Sequence, residues 1–96
     1  MQFGERIREL RESQGLLQRQ LAASLEIDTP MFSKIERGER KAKREQVEQL
    51  ASLLQANLSD LLRIWLADQI IDLVKDEPQA SEALKTALKE IKKDEH

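Results

Sequence analysis

Residues 17–40 read LQRQLAASLEIDTPMFSKIERGER, and this stretch decides the fold. Leu21 and Leu25 lie four residues apart in its first half, and Phe32 and Ile35 lie three apart in its second half. These intervals bring apolar side chains onto one face of an α-helix. The stretch therefore predicts two short helices joined by a tight turn, each with one face directed into a core.

The second of these helices carries clear end signals and is predicted over residues 28–37. Asp28 can accept a hydrogen bond from the free backbone N–H groups of the first turn, where the missing N–H of Pro30 costs nothing. Gly38 can adopt the left-handed conformation in which helices commonly end. Two short helices followed by a basic segment have the layout of a helix-turn-helix.

The rest of the chain continues the helical pattern. Apolar residues recur at intervals of three and four, and the composition includes three glycines, two prolines and 3% aromatic residues, which favours helices over strands. Ser59 is expected to cap the fifth helix, with Asn57 close by. The predicted helices cover residues 2–13, 18–25, 28–37, 44–55, 59–75 and 79–92. The predicted fold class is therefore all-α.

The charges of the chain are unevenly distributed, although the net charge is only -2. Residues 34–44 contain six Lys and Arg residues against two carboxylates, Glu36 and Glu39. A local surplus of positive charge attracts phosphate groups. By charge alone, the cluster fits a solvated loop as well as it fits a contact with DNA.

The sequence lacks the residues that enzymatic catalysis usually needs. The chain has no cysteine, its one histidine is the last residue, His96, and its carboxylates alternate with Lys and Arg as on ordinary helix surfaces. The sequence contains no glycine-rich phosphate loop and no metal-ligand spacing. We therefore expect no enzymatic activity, no cofactor and no metal site.

The sequence also predicts where the protein is found. No apolar run approaches the roughly 18 residues of a membrane span. The first five residues, MQFGE, lack the basic start and apolar run of a signal peptide. We expect a cytoplasmic protein, associated with a bacterial or phage nucleoid and not with a membrane.

The quoted stretch resembles the helix-turn-helix of the lambda-repressor-like family, also called the Cro and cI or XRE type. The flanks are similar too, with IRELR at 7–11 and VEQLASLL at 47–54. Within the stretch the matching positions are Gln18, the pair Leu21-Ala22, Leu25, Ile27, Phe32, Ser33 and the ending Ile35-Glu36-Arg37-Gly38. The resemblance covers residues 3–66. It implies a five-helix DNA-binding domain over residues 1–66, followed by a C-terminal helical extension over residues 67–96.

The resemblance also assigns roles to residues, with helix 3 (28–37) placed in the major groove of double-stranded DNA. The implied base contacts are Thr29, Pro30, Met31 and Lys34. The implied phosphate contacts are Gln18, Ser33, Arg37, Arg40, Lys41, Lys43 and Arg44. Arg11 and Glu36 match a family pair that forms an internal salt bridge, so they are assigned to the scaffold. The segment from Leu17 to Lys41 is thus the predicted docking segment.

The chain departs from the family pattern at the start of the recognition helix. Many relatives carry polar side chains there, whereas Thr29, Pro30 and Met31 supply one hydroxyl and two apolar groups. Lys34 can address guanine, but the other three side chains cannot form paired hydrogen bonds with a base. Hydrogen-bonded base reading is therefore expected to be sparse, and DNA shape is expected to share the specificity. Glu26 also stands where many relatives have glycine.

The fifth and sixth predicted helices carry more apolar surface than one small core can use. The residues expected to form a homodimer interface are Trp65, Leu66, Ile70, Ile71, Leu84, Leu88 and Ile91. A dimer would place two recognition helices one turn of DNA apart on a palindromic operator, as in a repressor or autoregulator. Two alternatives stay open: helix 6 covers the domain's own core, or helices 5 and 6 bind a partner protein, as in an antitoxin or antirepressor.

Overall fold

The computed structural model describes residues 2–95, so Met1 and the single histidine, His96, lie outside the described residues. Within that range every regular element is a helix and none is a strand. The elements are α1 (Gln2–Ser13), α2 (Gln18–Ser24), α3 (Thr29–Glu36), α4 (Arg44–Leu53), α5 (Leu58–Val74) and α6 (Ala80–Asp94). The all-α prediction, with a helical extension after five helices, is confirmed.

The start of α3 follows the expected capping chemistry. The Asp28 carboxylate accepts a hydrogen bond from the backbone N–H of Met31 at 2.7 Å, and Pro30 occupies the first turn. Such a cap contributes about 1 kcal/mol to stability. Arg37 closes the helix, and Gly38 follows in the left-handed region with φ 77°. The prediction for this helix is therefore confirmed at both ends.

Other helix ends differ from the prediction. The cap of α5 is Asn57, whose side chain accepts from the backbone N–H of Asp60 at 2.9 Å, so the assignment of that role to Ser59 is wrong. Helix 2, predicted over residues 18–25, ends as expected: Leu25 is the C-cap of α2, and Glu26 follows with a left-handed backbone, φ 59°. The helix α4 ends at Leu53, earlier than predicted, and Gln55 adopts a left-handed backbone with φ 54°. No glycine marks the end of α4.

The first five helices enclose one apolar core. Its buried members are Phe3, Ile7, Leu21, Ala22, Leu25, Phe32, Ile35, Ala42, Val47, Leu50, Ala51, Leu54 and Leu61. Ile27, one of the positions that match the family, is half-buried and packs against this cluster. Each large member contributes about 1.5–3 kcal/mol by leaving water. The core therefore fixes α2 and α3 against the other helices of the domain.

A glycine in α1 allows α1 and α3 to approach closely. A Cβ atom on Gly4 would come within 2.6 Å of the carbonyl oxygen of Ile35 and would also collide with that of Glu36. Real Cβ atoms do not approach an oxygen so closely, because the atoms overlap. Gly4 is therefore required by packing at the C-terminal end of α3.

The N-terminus of α1 is capped by a residue far along the chain. The Asp68 carboxylate, 5% exposed, accepts from the backbone N–H groups of Gln2 at 3.1 Å and Phe3 at 2.8 Å. These bonds satisfy two N–H groups that a helix start leaves free, and the negative charge suits the helix dipole. The predicted domain boundary between residues 66 and 67 therefore falls inside α5. Asp68 lies after that boundary and yet contacts α1.

The last helix stands apart from the core. No residue of α6 is buried, and Leu84, Leu88 and Ile91 are 39%, 51% and 55% exposed. The alternative in which helix 6 covers the domain's own core is therefore wrong. Within residues 2–95, none of the helices combines the length and the apolar character needed to cross a membrane.

Candidate nucleic-acid interface

The helix α3 separates its residues into an inward and an outward face. Phe32, Ile35 and Glu36 are buried on the inward face. Thr29, Pro30 and Lys34, three of the predicted base contacts, are exposed, whereas Met31 and Ser33 are half-buried. The outward face of α3 is therefore available to a partner, with one hydroxyl and one ammonium group as its exposed polar tips.

The orientation of α3 relative to α1 is fixed by an ion pair between Arg11 and Glu36. Arg11 donates from Nε to Glu36 Oε2 at 2.7 Å and from Nη2 to Oε1 at 3.1 Å. A third guanidinium nitrogen, Nη1, donates to the carbonyl oxygen of Leu16 at 2.9 Å. The hydrogen bonds that Arg11 donates to Glu36 raise the pKa of Arg11 above its ordinary value. This pair, which the resemblance assigns to the scaffold, thus joins α1, α3 and the loop before α2.

Gln18, a predicted phosphate contact, joins the same network. Its Nε2 donates to Glu36 Oε1 at 2.8 Å, and the side chain is half-buried. One amide hydrogen and the amide oxygen remain for other partners. The side chain of Gln18 is therefore held in place by the scaffold at the first residue of α2.

A polar cavity of about 420 Å³ opens between α1, α2 and α3. Its lining brings Gln18, Ser33 and Arg37, three predicted phosphate contacts, to one place on the surface. Arg8 also lines the cavity, and its Nε donates to Glu12 Oε1 at 3.2 Å. Sequence reasoning missed Arg8, because an Arg within an amphipathic helix reads as ordinary surface.

An exposed ion pair occupies the edge of this surface. Arg37 Nε donates to Glu39 Oε2 at 2.7 Å, and Arg37 Nη1 donates to Ser33 Oγ at 2.7 Å. The hydrogen bond from Arg37 is the main reason that the pKa of Glu39 lies below its ordinary value, and it raises the pKa of Arg37. A phosphate that approaches Arg37 must therefore compete with the carboxylate of Glu39.

The basic loop, defined here as residues 39–43, connects α3 to α4. Its cations Arg40, Lys41 and Lys43 are exposed, as is Arg44 at the start of α4. The loop backbone folds back on α3, since the N–H groups of residues 39 and 40 donate to the carbonyl oxygen of Lys34 at 2.8 and 3.3 Å. Four predicted phosphate contacts thus follow one another beside the C-terminal end of the predicted recognition helix.

The residues expected at a dimer interface fall into two groups. Leu66, Ile70 and Ile71 on α5 are 44%, 47% and 46% exposed, and the apolar residues of α6 are also exposed. Trp65 differs, because it is half-buried against the core and its Nε1 donates to the carbonyl oxygen of Ala42 at 2.8 Å. The indole of Trp65 therefore makes contacts within its own chain.

Known proteins resemble the part of the chain that carries this surface. A sequence model of the family described as "Helix-turn-helix domain" matches residues 2–64, which run from α1 into α5. Over 62 residues the chain is 37% identical to the HTH-type transcriptional regulator DdrOP3 of Deinococcus deserti, and the match covers 65% of this chain. It covers 48% of that protein, so the chain spans about half the length of this curated relative. No solved structure matches the chain significantly. The chain therefore belongs to the helix-turn-helix domain family, a class of DNA-binding domains and not of enzymes.

Proposed function

We propose that the chain is a transcriptional regulator that binds double-stranded DNA sequence-specifically, as a homodimer, with α3 in the major groove. The observation that carries the proposal is the outward face of α3, which ends in the exposed cations of the basic loop. A major groove about 12 Å wide admits one helix, and the phosphates that border it attract flanking cations. Family membership and the relative's name support the same function.

Base contacts are proposed for the exposed face of α3. Lys34 can donate to guanine O6 and N7, and Thr29 can donate or accept through its hydroxyl. Pro30 and Met31 can touch the methyl group of thymine. Few of these groups form paired hydrogen bonds, so we propose that DNA shape and deformability contribute part of the specificity.

Phosphate contacts are proposed on both sides of α3. The residues in this role are Gln18, Ser33, Arg37, Arg40, Lys41, Lys43 and Arg44. Their side chains lie around the polar cavity and along the basic loop, where contacts position a protein on DNA without reading bases. Such contacts make affinity fall steeply with salt, by a factor of ~10³ or more between 50 and 200 mM when six or more phosphates are engaged.

Dimerisation is proposed through the exposed apolar residues of α5 and α6. A single helix-turn-helix makes few base contacts, and a second copy doubles them on a palindromic operator whose half-sites are about 34–36 Å apart. Leu66, Ile70 and Leu88 are each more than two-fifths exposed, which supports a partner on this side of the molecule. A repressor or autoregulator bound to its own promoter in the bacterial cytoplasm would fit this geometry.

A second candidate function is a protein-interaction module such as an antitoxin or antirepressor. The same exposed apolar residues favour it, because they would suit a different protein as well as a second copy. The oligomeric state of the protein in solution, without a partner, distinguishes the two functions. A discrete homodimer supports the regulator, whereas a monomer that binds duplex only weakly supports the interaction module.

The proposed function is tested by selecting bound duplexes from a random library and measuring their affinities. We expect enrichment of a palindromic sequence, a preference of at least ~10³-fold over random duplex, and affinity that falls linearly with salt on logarithmic axes. Lack of enrichment, or affinity that does not respond to salt, would overturn the proposal. Sedimentation of the free chain gives the dimer directly.

A further inference from the structure

The basic loop is held in place by α5. Near the end of the loop, Ala42 is 1% exposed, and its carbonyl oxygen accepts the hydrogen bond from Trp65 Nε1 at 2.8 Å. A loop carbonyl without a partner is unfavourable away from water, so this bond determines where the loop crosses α5. The exposed cations on either side, Lys41 and Lys43, are placed by the same crossing point.

Trp65 also holds the cation that follows the loop. The guanidinium carbon of Arg44 lies 5.4 Å from the centroid of the indole ring, within the range of a cation–π contact. The edge of one indole thus fixes the loop backbone, and its face fixes the first cation of α4. Both contacts involve groups that belong to the proposed phosphate-binding surface or border it.

A second residue of α5 extends this support. Gln69 lies one helical turn after Trp65, and its Oε1 accepts from Lys41 Nζ at 3.4 Å. Its Nε2 donates to the carbonyl oxygen of Trp65 at 3.3 Å, which orients the amide. The intervening Asp68 fastens α5 to the N-terminus of α1. The support is therefore anchored to α1 as well as to the loop.

We propose that Trp65 and Gln69 are positioning residues for DNA binding, which hold Lys41, Ala42 and Arg44 in the arrangement that receives the DNA backbone. Long cationic side chains lose rotational freedom when they bind a phosphate, and a prearranged side chain has less freedom to lose. This inference rests on the proposed function. It assigns Trp65 to the DNA-binding apparatus of its own chain and not to the dimer interface.

The test uses the full chain and a random-sequence 30-base-pair duplex, because phosphate contacts do not depend on sequence. We expect Trp65→Phe, which removes the Nε1 donor, and Gln69→Ala each to weaken binding about three- to ten-fold at low salt. The matched control is Gln49→Ala, an exposed glutamine of α4, which should bind as the unaltered chain does. Circular dichroism and sedimentation must show an unchanged fold and size for each variant.

Two further measurements distinguish positioning from a general structural role. In a Lys41→Ala background, Gln69→Ala should lose its effect, since it acts through Lys41; an equal loss in both backgrounds would contradict the proposal. Trp65 is the one tryptophan of the chain, so tryptophan emission reports on the surroundings of its indole. Titration with duplex should change that emission with the same midpoint as a labelled duplex shows, and unchanged emission would count against Trp65.

The remaining outcomes are also decisive. If the unaltered chain binds no duplex at low salt, the proposed function fails, and this inference fails with it. If the unaltered chain binds but both α5 variants bind equally well, only the inference fails. If Trp65→Phe does not fold, Gln69→Ala decides alone. If Trp65→Phe weakens DNA binding only because the dimer dissociates, Trp65 belongs to the dimer interface, and its proposed positioning role is wrong.

Discussion

Arg11 of α1 and Glu36 of α3 form a two-pronged ion pair, with bonds of 2.7 and 3.1 Å, between side chains that are 11% and 2% exposed. Planar guanidinium and carboxylate groups match each other in this arrangement, which is stronger than a single charged hydrogen bond. The pair also holds the amide of Gln18. The buried carboxylate of Glu36 therefore joins α3 to α1 and to the start of α2.

Replacement of Glu36 by alanine should destabilise the fold strongly. The change leaves Arg11 and Gln18 without their partner, and the loss of one member of a buried pair costs about 3–5 kcal/mol. The free energy of unfolding is measured in urea by circular dichroism. The control is Arg8→Ala, which breaks the exposed pair with Glu12 and should cost at most about 1 kcal/mol. Equal losses in the two variants would show that burial does not matter here.

Much of the DNA-binding unit could be predicted because its signals are local. Asp28 and Gly38 mark the ends of α3 in the sequence itself, and the intervals between Phe32 and Ile35 reveal its inward face. Capping and periodicity need only neighbours within a few residues. The bounds of α3 were therefore predicted almost to the residue.

The supporting contacts could not be predicted because they join distant parts of the chain. Asp68 caps α1 across 65 residues, and Trp65 binds the carbonyl of Ala42 across 23. Gly4 is required by the carbonyl oxygens of α3, which approach it only in the folded state. An aspartate, a tryptophan and a glycine within helical patterns carry no local sign of such partners.

Glu39 should weaken DNA binding in the unaltered chain. Its carboxylate binds Arg37 at 2.7 Å and adds a negative charge to the proposed DNA surface. Replacement of Glu39 by glutamine frees Arg37 for a phosphate, and we expect affinity for any duplex to rise about three- to ten-fold at low salt. The charge-matched control is Glu90→Gln on α6, which should leave affinity unchanged. Equal gains from the two changes would mean that only the net charge matters.

The ratio between the DNA affinities of Glu39→Gln and of the unaltered chain should not depend on pH between 7 and 5. The hydrogen bond from Arg37 lowers the pKa of Glu39, so the carboxylate stays charged throughout this interval. Because the folded-state pKa is lowered, the attraction between the two side chains is fully present above the ordinary pKa of glutamate. It is lost only as the pH falls through the lowered value. An advantage of Glu39→Gln that disappears by pH 5 would require a Glu39 pKa above its ordinary value, which contradicts the lowering by Arg37.

Replacement of Glu26 by glycine should stabilise the chain. Glu26 has φ 59°, a conformation that costs an ordinary residue about 1–2 kcal/mol, whereas glycine adopts it freely. Glycine gives part of that gain back through the entropy of the unfolded chain, so the expected net gain is about 0.5–1 kcal/mol. The control Glu26→Ala removes the same carboxylate but keeps the strain, and it should bring no gain. Thermal unfolding of the three chains decides.

Lys34 and Lys41 should have separable effects on DNA binding. Lys34 is exposed on the outward face of α3, whereas Lys41 belongs to the basic loop. We expect Lys34→Ala to change the sequence that is selected from a random library, at a cost of about 1–3 kcal/mol on the selected site. Lys41→Ala should weaken binding to all duplexes alike and reduce the salt slope by about 1. The opposite pattern would reverse the assignment of base and phosphate contacts.

Leu88 gives the most direct test of the proposed dimer interface. It is 51% exposed on a helix without buried residues, so Leu88→Ser should leave the fold of one chain intact. Burial of a leucine side chain contributes about 1.5–3 kcal/mol, so its loss from both copies should raise the dimer dissociation constant at least ~10-fold. Sedimentation at micromolar concentrations measures this change. The neighbouring Lys89→Ser, on the polar side of α6, is the control and should remain dimeric. If the unaltered chain is monomeric, the proposed dimer of the free chain is wrong. If the chain is dimeric but the two variants behave alike, the dimer does not form through α6, and the interface is placed on α5.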